Sequence, residues 1–151
     1  MHLNRAAAAP PVRPFWKVAV LAVVTASIAN VLLSRLAVTG FHLPTTFMPL
    51  QSGPVGFFTV VGVTSAALTL ALLTRLTTSP HRVFRMVALI VLLFSLLPDV
   101  LLLRQSPFPG TTPAGVWTLM LLHVVAYGAS VLILTGQQNA SRPTRTSPSA
   151  S

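Results

Sequence analysis

Acidic residues are almost missing from this chain: ten Lys and Arg stand against a single carboxylate, Asp99, for a formal charge of +9. One Asp without any Glu excludes the paired carboxylates of glycoside hydrolysis. Cysteine is absent, which excludes disulfides, thiolate metal sites, Cys-attached haem and thiol chemistry. The four His are scattered and, with one Asp, make no metal-ligand set, so neither a metal nor a cofactor is expected. Glycine-rich phosphate loops and the G-x-S-x-G nucleophile turn are missing as well. Charge of either sign is scarce, at 7% of residues, where soluble domains carry about a quarter.

What is there is apolar. Hydrophobic residues make up 53% of the 151 positions, and the mean hydropathy is +0.78. The solvent for most of such a chain is lipid. A positive charge this large can mark a nucleic-acid binder. Here, however, the basic residues cap apolar runs or sit in the tails, and no basic patch interleaved with aromatics lies on a polar domain. Nucleic acid is therefore not expected as a partner, and membrane lipids are.

Four runs are long enough to cross a hydrocarbon core of about 30 Å: about 16–38, 55–76, 85–103 and 114–134. Residues 1–15 form a Pro- and Ala-rich basic arm, and 136–151 a Ser/Thr/Pro-rich tail that reads as disordered. The first run exceeds the core of a signal peptide and continues past the Ala-Ser-Ile-Ala stretch at 26–29, so it reads as a span. The expected fold is an all-α polytopic membrane protein, a bundle of four transmembrane helices. Orientation follows from Lys and Arg. Arg5, Arg13, Lys17, Arg75, Arg82, Arg85, Arg142 and Arg145 fall on the side of the termini and the 77–81 turn; only Arg35 and Arg104 fall opposite. Positive charge marks the cytoplasmic side, which puts both termini in the cytoplasm of a multi-pass cell-membrane protein.

Ala19, Ala22, Ala26 and Ala29 predict a small-residue stripe for helix packing on the first span, and Gly62 with Ala66 a second one. The loop at 39–54 predicts aromatic and Met side chains resting at the interface, and Pro98 predicts a break in the third span.

Asp99 is the focus of the polar residues. An ionisable group within a span costs at least about 2.5 kcal/mol in lipid and should face protein. Counted inward from the loop ends, Arg35 and Asp99 fall within about a turn of the boundary and Asn30, Ser95 and His123 about 12 Å below it; with Arg104 and Tyr127 they make up a polar intramembrane cluster. Ser95 and Asp99 share a face, as do His123 and Tyr127. The expected pairings are Asp99 with Arg35 first and Arg104 second, and His123 with Asn30 or Ser95. Such a cluster either clasps the helices in register or binds a polar head or relays a proton, since His titrates near neutrality. A Ser95/His123/Asp99 triad is disfavoured, because Ser95 and Asp99 on one turn would have to bracket the imidazole from opposite sides.

The segments Pro80-His81-Arg82 with Phe84-Arg85, Ser95 to Asp99 (SLLPD), and Met120 with His123 together resemble an uncharacterised family of small bacterial four-span membrane proteins, defined only as a domain of unknown function. The resemblance covers about residues 16–135, implies a four-helix membrane protein and brings no activity. The expectation is a non-enzymatic structural or accessory component, or one binding lipid or a small molecule, with a homo-oligomer or a membrane-protein partner possible. The alternative is a small proton-linked transporter subunit acting as an oligomer.

Overall fold

The computed structural model describes residues 14–136. The arm expected at 1–15 and the tail expected at 136–151 lie outside the described residues, apart from Pro14, Phe15 and Gly136. Within them the chain forms α1 (Phe15–Gly40), α2 (Ser52–Leu76), α3 (Pro80–Gln105) and α4 (Pro113–Thr135), with one 3-10 turn at Met48–Leu50 and no strand. All four helices are long and apolar enough to cross a membrane. The protein is thus an all-α, multi-pass membrane protein. The terminal end of the bundle holds the start of α1, the end of α4 and the α2–α3 turn; the loop end holds the 41–51 and 106–112 connections.

Each helix outruns its apolar segment. Pro80 starts α3 five residues ahead of the expected span, because proline at the first helical position gives up an N–H that would have no partner there. Thr112 caps α4 by accepting the Gly115 N–H at 3.1 Å. Trp16 and Trp117 are both exposed, at opposite ends of the bundle, as interfacial rings in lipid should be. The Lys17 Nζ lies 5.5 Å from the Trp16 ring.

Pro98 does not break α3. The helix continues seven residues beyond it to Gln105. The proline is exposed, so its ring points away from the bundle, and one missing hydrogen bond is tolerated in a membrane helix.

α1 is the central post, packed chiefly against α2 and α4, while α3 leans on α4 and touches α2 less. Its buried face is Val18, Ala22, Ala26, Asn30, Ser34 and Ala37. These are nearly all small, so the neighbouring backbones come close. Ala22 and Ala26 lie at the centre of that face; Ala19 and Ala29 are only half-buried. At the terminal end a dry core gathers Val18, Ala22, Ala26, Val63, Ala67, Leu70, Phe84 and Leu134. A second core at the loop end joins Ala37, Leu43, Phe47, Leu50, Val55, Val116, Leu119 and Leu122.

That second core corrects the reading of the 39–54 loop. Phe41 and Met48 are exposed as expected, but Phe47 is 1% exposed and roofs the bundle. Its ring lies against Gly115, where an added Cβ would stand 3.1 Å from Phe47 Cδ1. The two loops cross at Gly110, whose φ of 75° lies in the left-handed region that glycine adopts freely. A side chain there would reach within 2.9 Å of Pro44 Cβ. The roof therefore depends on a glycine.

Candidate functional site

Between the two cores the bundle turns polar. Asn30, 2% exposed, donates from Nδ2 to Thr59 Oγ1 at 3.0 Å and to the Leu122 carbonyl at 3.2 Å. One amide thereby ties α1 to α2 and α4. Thr59 in turn donates to the Val55 carbonyl at 2.7 Å, and one turn along α1 the Ser34 hydroxyl donates to the Leu50 carbonyl. The Asn30 bonds join helices, the Thr59 bond stays within α2, and the Ser34 bond ties α1 to the 3-10 turn; buried bonds of this kind are stronger than in water.

Beside this tie lies a cavity of about 660 Å³. Its walls are mostly apolar and come from α2 (Val55, Phe58, Gly62), α3 (Val91, Leu92) and α4 (Leu119, Ala126), with Met48 and Phe108 reaching in from the loops. Phe58, Val61, Gly62 and Val91 line it and are also exposed on the outer surface of the bundle. The cavity accordingly opens sideways, between α2 and α3, which pack less closely than α3 and α4.

Of the residues expected at the site, Asn30, Ser95, Asp99, His123 and Tyr127 all line this one cavity. Asp99 is 5% exposed and lies six residues from the loop end of α3, a depth of about 9 Å at 1.5 Å per residue. His123 comes across from α4, with Nδ1 3.2 Å from Asp99 Oδ2 and 2.9 Å from the Leu119 carbonyl. One ring nitrogen carries one hydrogen at most. Aimed at the carbonyl, it leaves Oδ2 buried without a well-formed hydrogen bond.

The expected partners of Asp99 are corrected. Arg35 is exposed and donates from Nε to Ser52 Oγ, and Arg104 is exposed on the turn beyond. Neither reaches the carboxylate, because long basic side chains near helix ends extend toward the interface. Nor does His123 bond Asn30 or Ser95. The Asn30 amide nitrogen is already occupied, and Ser95 donates to its own helix at Leu92, 2.7 Å away. This last bond also turns the Ser95 hydroxyl from the imidazole, so the three triad residues share a cavity but not a relay. Among the described residues no three His or Asp side chains converge as a metal set.

Three lining residues were not expected at the site. Thr59 bonds its own helix at Val55 and also receives the interhelical bond from Asn30. Its place in the buried series Val55, Thr59, Val63, Ala67 was the available signal. Gly62, expected to pack against a neighbouring helix, has nothing within 4 Å of an added Cβ and instead leaves the cavity wall open. Phe108 carried no signal, because its position depends on how the loop folds back.

No curated protein and no solved structure matches the chain. A family model does, over residues 10–142, which takes in all four helices and both loops. The chain belongs to that family, DUF6069, a family of unknown function.

Proposed function

We propose that this protein is a non-enzymatic membrane component that holds an amphiphilic small molecule or lipid in the cavity between α2, α3 and α4, with both termini cytoplasmic. The observation that carries this reading is the cavity itself: about 660 Å³ of mostly apolar walls around the only carboxylate in the chain. That volume lies within the range of small-molecule sites. A polar clasp serving only to hold helix register would close around its groups. Here space remains and Asp99 Oδ2 has no well-formed hydrogen bond, only the shared contact with His123 at 3.2 Å. The lateral opening suits a ligand arriving from the bilayer. A non-enzymatic role is supported by Ser95, whose hydroxyl is turned to its own helix, and by the lack of any second carboxylate. The exposed apolar length of α3, including Leu89, Leu93, Phe94 and Leu97, faces lipid or a further membrane helix, whether a second copy or another protein.

Proton-linked transport is the reading the His123–Asp99 contact favours next. It requires a polar path onward past the apolar core of Val18, Ala22, Ala26, Ala67 and Leu70 at the terminal end. It would show as proton-coupled flux in reconstituted vesicles that vanishes in His123→Ala.

The binding reading is tested by native mass spectrometry of the protein released from micelles. One retained amphiphile per chain is expected under activation that strips annular lipid. It should be lost in Gly62→Trp, whose side chain enters open space and fills the cavity mouth. No retained molecule, or equal retention by an equally stable Gly62→Trp, overturns the proposal.

A further inference from the structure

Two buried acceptor oxygens on this cavity's lining residues lack a well-formed hydrogen bond: Asn30 Oδ1, and Asp99 Oδ2, whose one near neighbour is His123 Nδ1 at 3.2 Å, shared with the Leu119 carbonyl. Their residues are 2% and 5% exposed. The orientation of the Asn30 amide is fixed by chemistry. The Leu122 carbonyl can only accept, and the Thr59 hydroxyl proton is committed to Val55, so the nitrogen must face both and the oxygen must face away. Other hydroxyls around the cavity have likewise spent their protons on their own helices: Ser95 on Leu92 and Ser130 on Ala126. The donors left on the lining are the Tyr127 hydroxyl and the His123 ring, the latter shared between Asp99 and the Leu119 carbonyl, and the one carboxylate is reached by neither Arg35 nor Arg104. A buried acceptor left unpaired costs about 1–3 kcal/mol, more when charged.

We infer that the ligand is a single-chain amphiphile bearing a primary ammonium, with the ammonium at Asp99 and Asn30 and the chain lying in the α2–α3 opening. This rests on the cavity being a ligand site. An ammonium offers three donors and no acceptor, which complements these groups in both charge and hydrogen bonding. A phosphate or carboxylate head would set acceptor against acceptor. The cavity is too small to take a diacyl phospholipid whole. Moreover, Asp99 lies about 9 Å below the loop end of α3 at 1.5 Å per residue, beneath the usual level of lipid headgroups. The aromatic face of Phe58, exposed at the rim, offers a cation a further attraction on the way in.

The test compares dodecylamine with dodecanol, matched in chain length, on the full chain in phosphatidylcholine nanodiscs, read by native mass spectrometry and thermal stability. Dodecylamine should form a one-to-one adduct about 10- to 100-fold tighter than dodecanol, the range set by a charge-assisted hydrogen bond. Asp99→Asn should remove the preference, and Gly62→Trp should remove both ligands. Equal binding of amine and alcohol, with both lost in Gly62→Trp, overturns the ammonium inference while the cavity reading stands. Binding of neither overturns both. Displacement of dodecylamine by added phosphatidylethanolamine would assign the site to a lipid headgroup and overturn the single-chain ligand. Should Asp99→Asn fail to fold, the amine-to-alcohol ratio on the unaltered chain still decides.

Discussion

Replacing Asp99 by Asn and His123 by Gln, singly and together, measures whether the carboxylate is held by α4 as the structure places it. The contact is 3.2 Å long, but Nδ1 is closer to the Leu119 carbonyl, at 2.9 Å, so the bond to Asp99 is at best shared. Hydrogen bonds to charged groups contribute about 1.5–3 kcal/mol, while side-chain bonds between membrane helices average about 0.6 and reach about 1.7. A shared bond to an imidazole whose side chain is 39% exposed belongs in the middle of those ranges. The expected coupling energy is therefore about 1 kcal/mol. Running the same cycle with Arg35→Met in place of His123→Gln should give additive effects within about 0.5 kcal/mol, the level for residues without shared partners. The assay is reversible unfolding in mixed micelles of dodecyl sulfate and an uncharged detergent, followed by tryptophan fluorescence. A coupling of Asp99 with Arg35 larger than its coupling with His123 would refute the placement.

Two further outcomes follow from the helix contacts and from the distribution of charge. Asn30→Ala removes two interhelical donors but also an unpartnered oxygen, so it should cost only about 1 kcal/mol. Asn30→Asp sets an acceptor against the Leu122 carbonyl and should cost clearly more in the same unfolding assay; equal costs would show that Nδ2 does not make these bonds. Reporter fusions at Ser79 and after Gln138 should read cytoplasm and one at Gln51 the exterior; an exterior reading at Ser79 would reverse the orientation.

The spans were legible because hydropathy is a property of long runs: each of the four was located to within a few residues of its helix. Hydropathy marks membrane rather than helix, however, so Arg82 and Arg104 fell outside the spans although the helix carries them. Convergence of Asn30, Ser95, Asp99 and His123 was legible from depth, since counting residues from the loop ends fixes height in a bundle, and Tyr127 followed from sharing a face with His123. Partners were not. Height says nothing of rotation about the helix axis, and charge complementarity alone favoured Arg35, whose guanidinium is instead exposed at the rim and bonded to Ser52. Cavities are equally invisible in sequence, since Gly62 reads as a packing residue unless one knows that no helix comes to meet it. Phe47 shows the same limit in a loop, where nothing local distinguishes a ring that roofs the bundle from one that rests in the interface.

The central claim is a cavity opening between α2 and α3 beside a closed apolar core that holds Ala22, Ala26, Ala67 and Leu70, and thiol labelling tests it most directly. The chain has no cysteine, so a single introduced one is its only thiol. Ser95→Cys places that thiol on the cavity wall, and Ala67→Cys places it in the dry core, where the native residue is 4% exposed. With N-ethylmaleimide added to isolated membranes, Ser95→Cys should react readily while Ala67→Cys stays unmodified until the protein is unfolded. Equal reaction rates at the two positions would contradict the account.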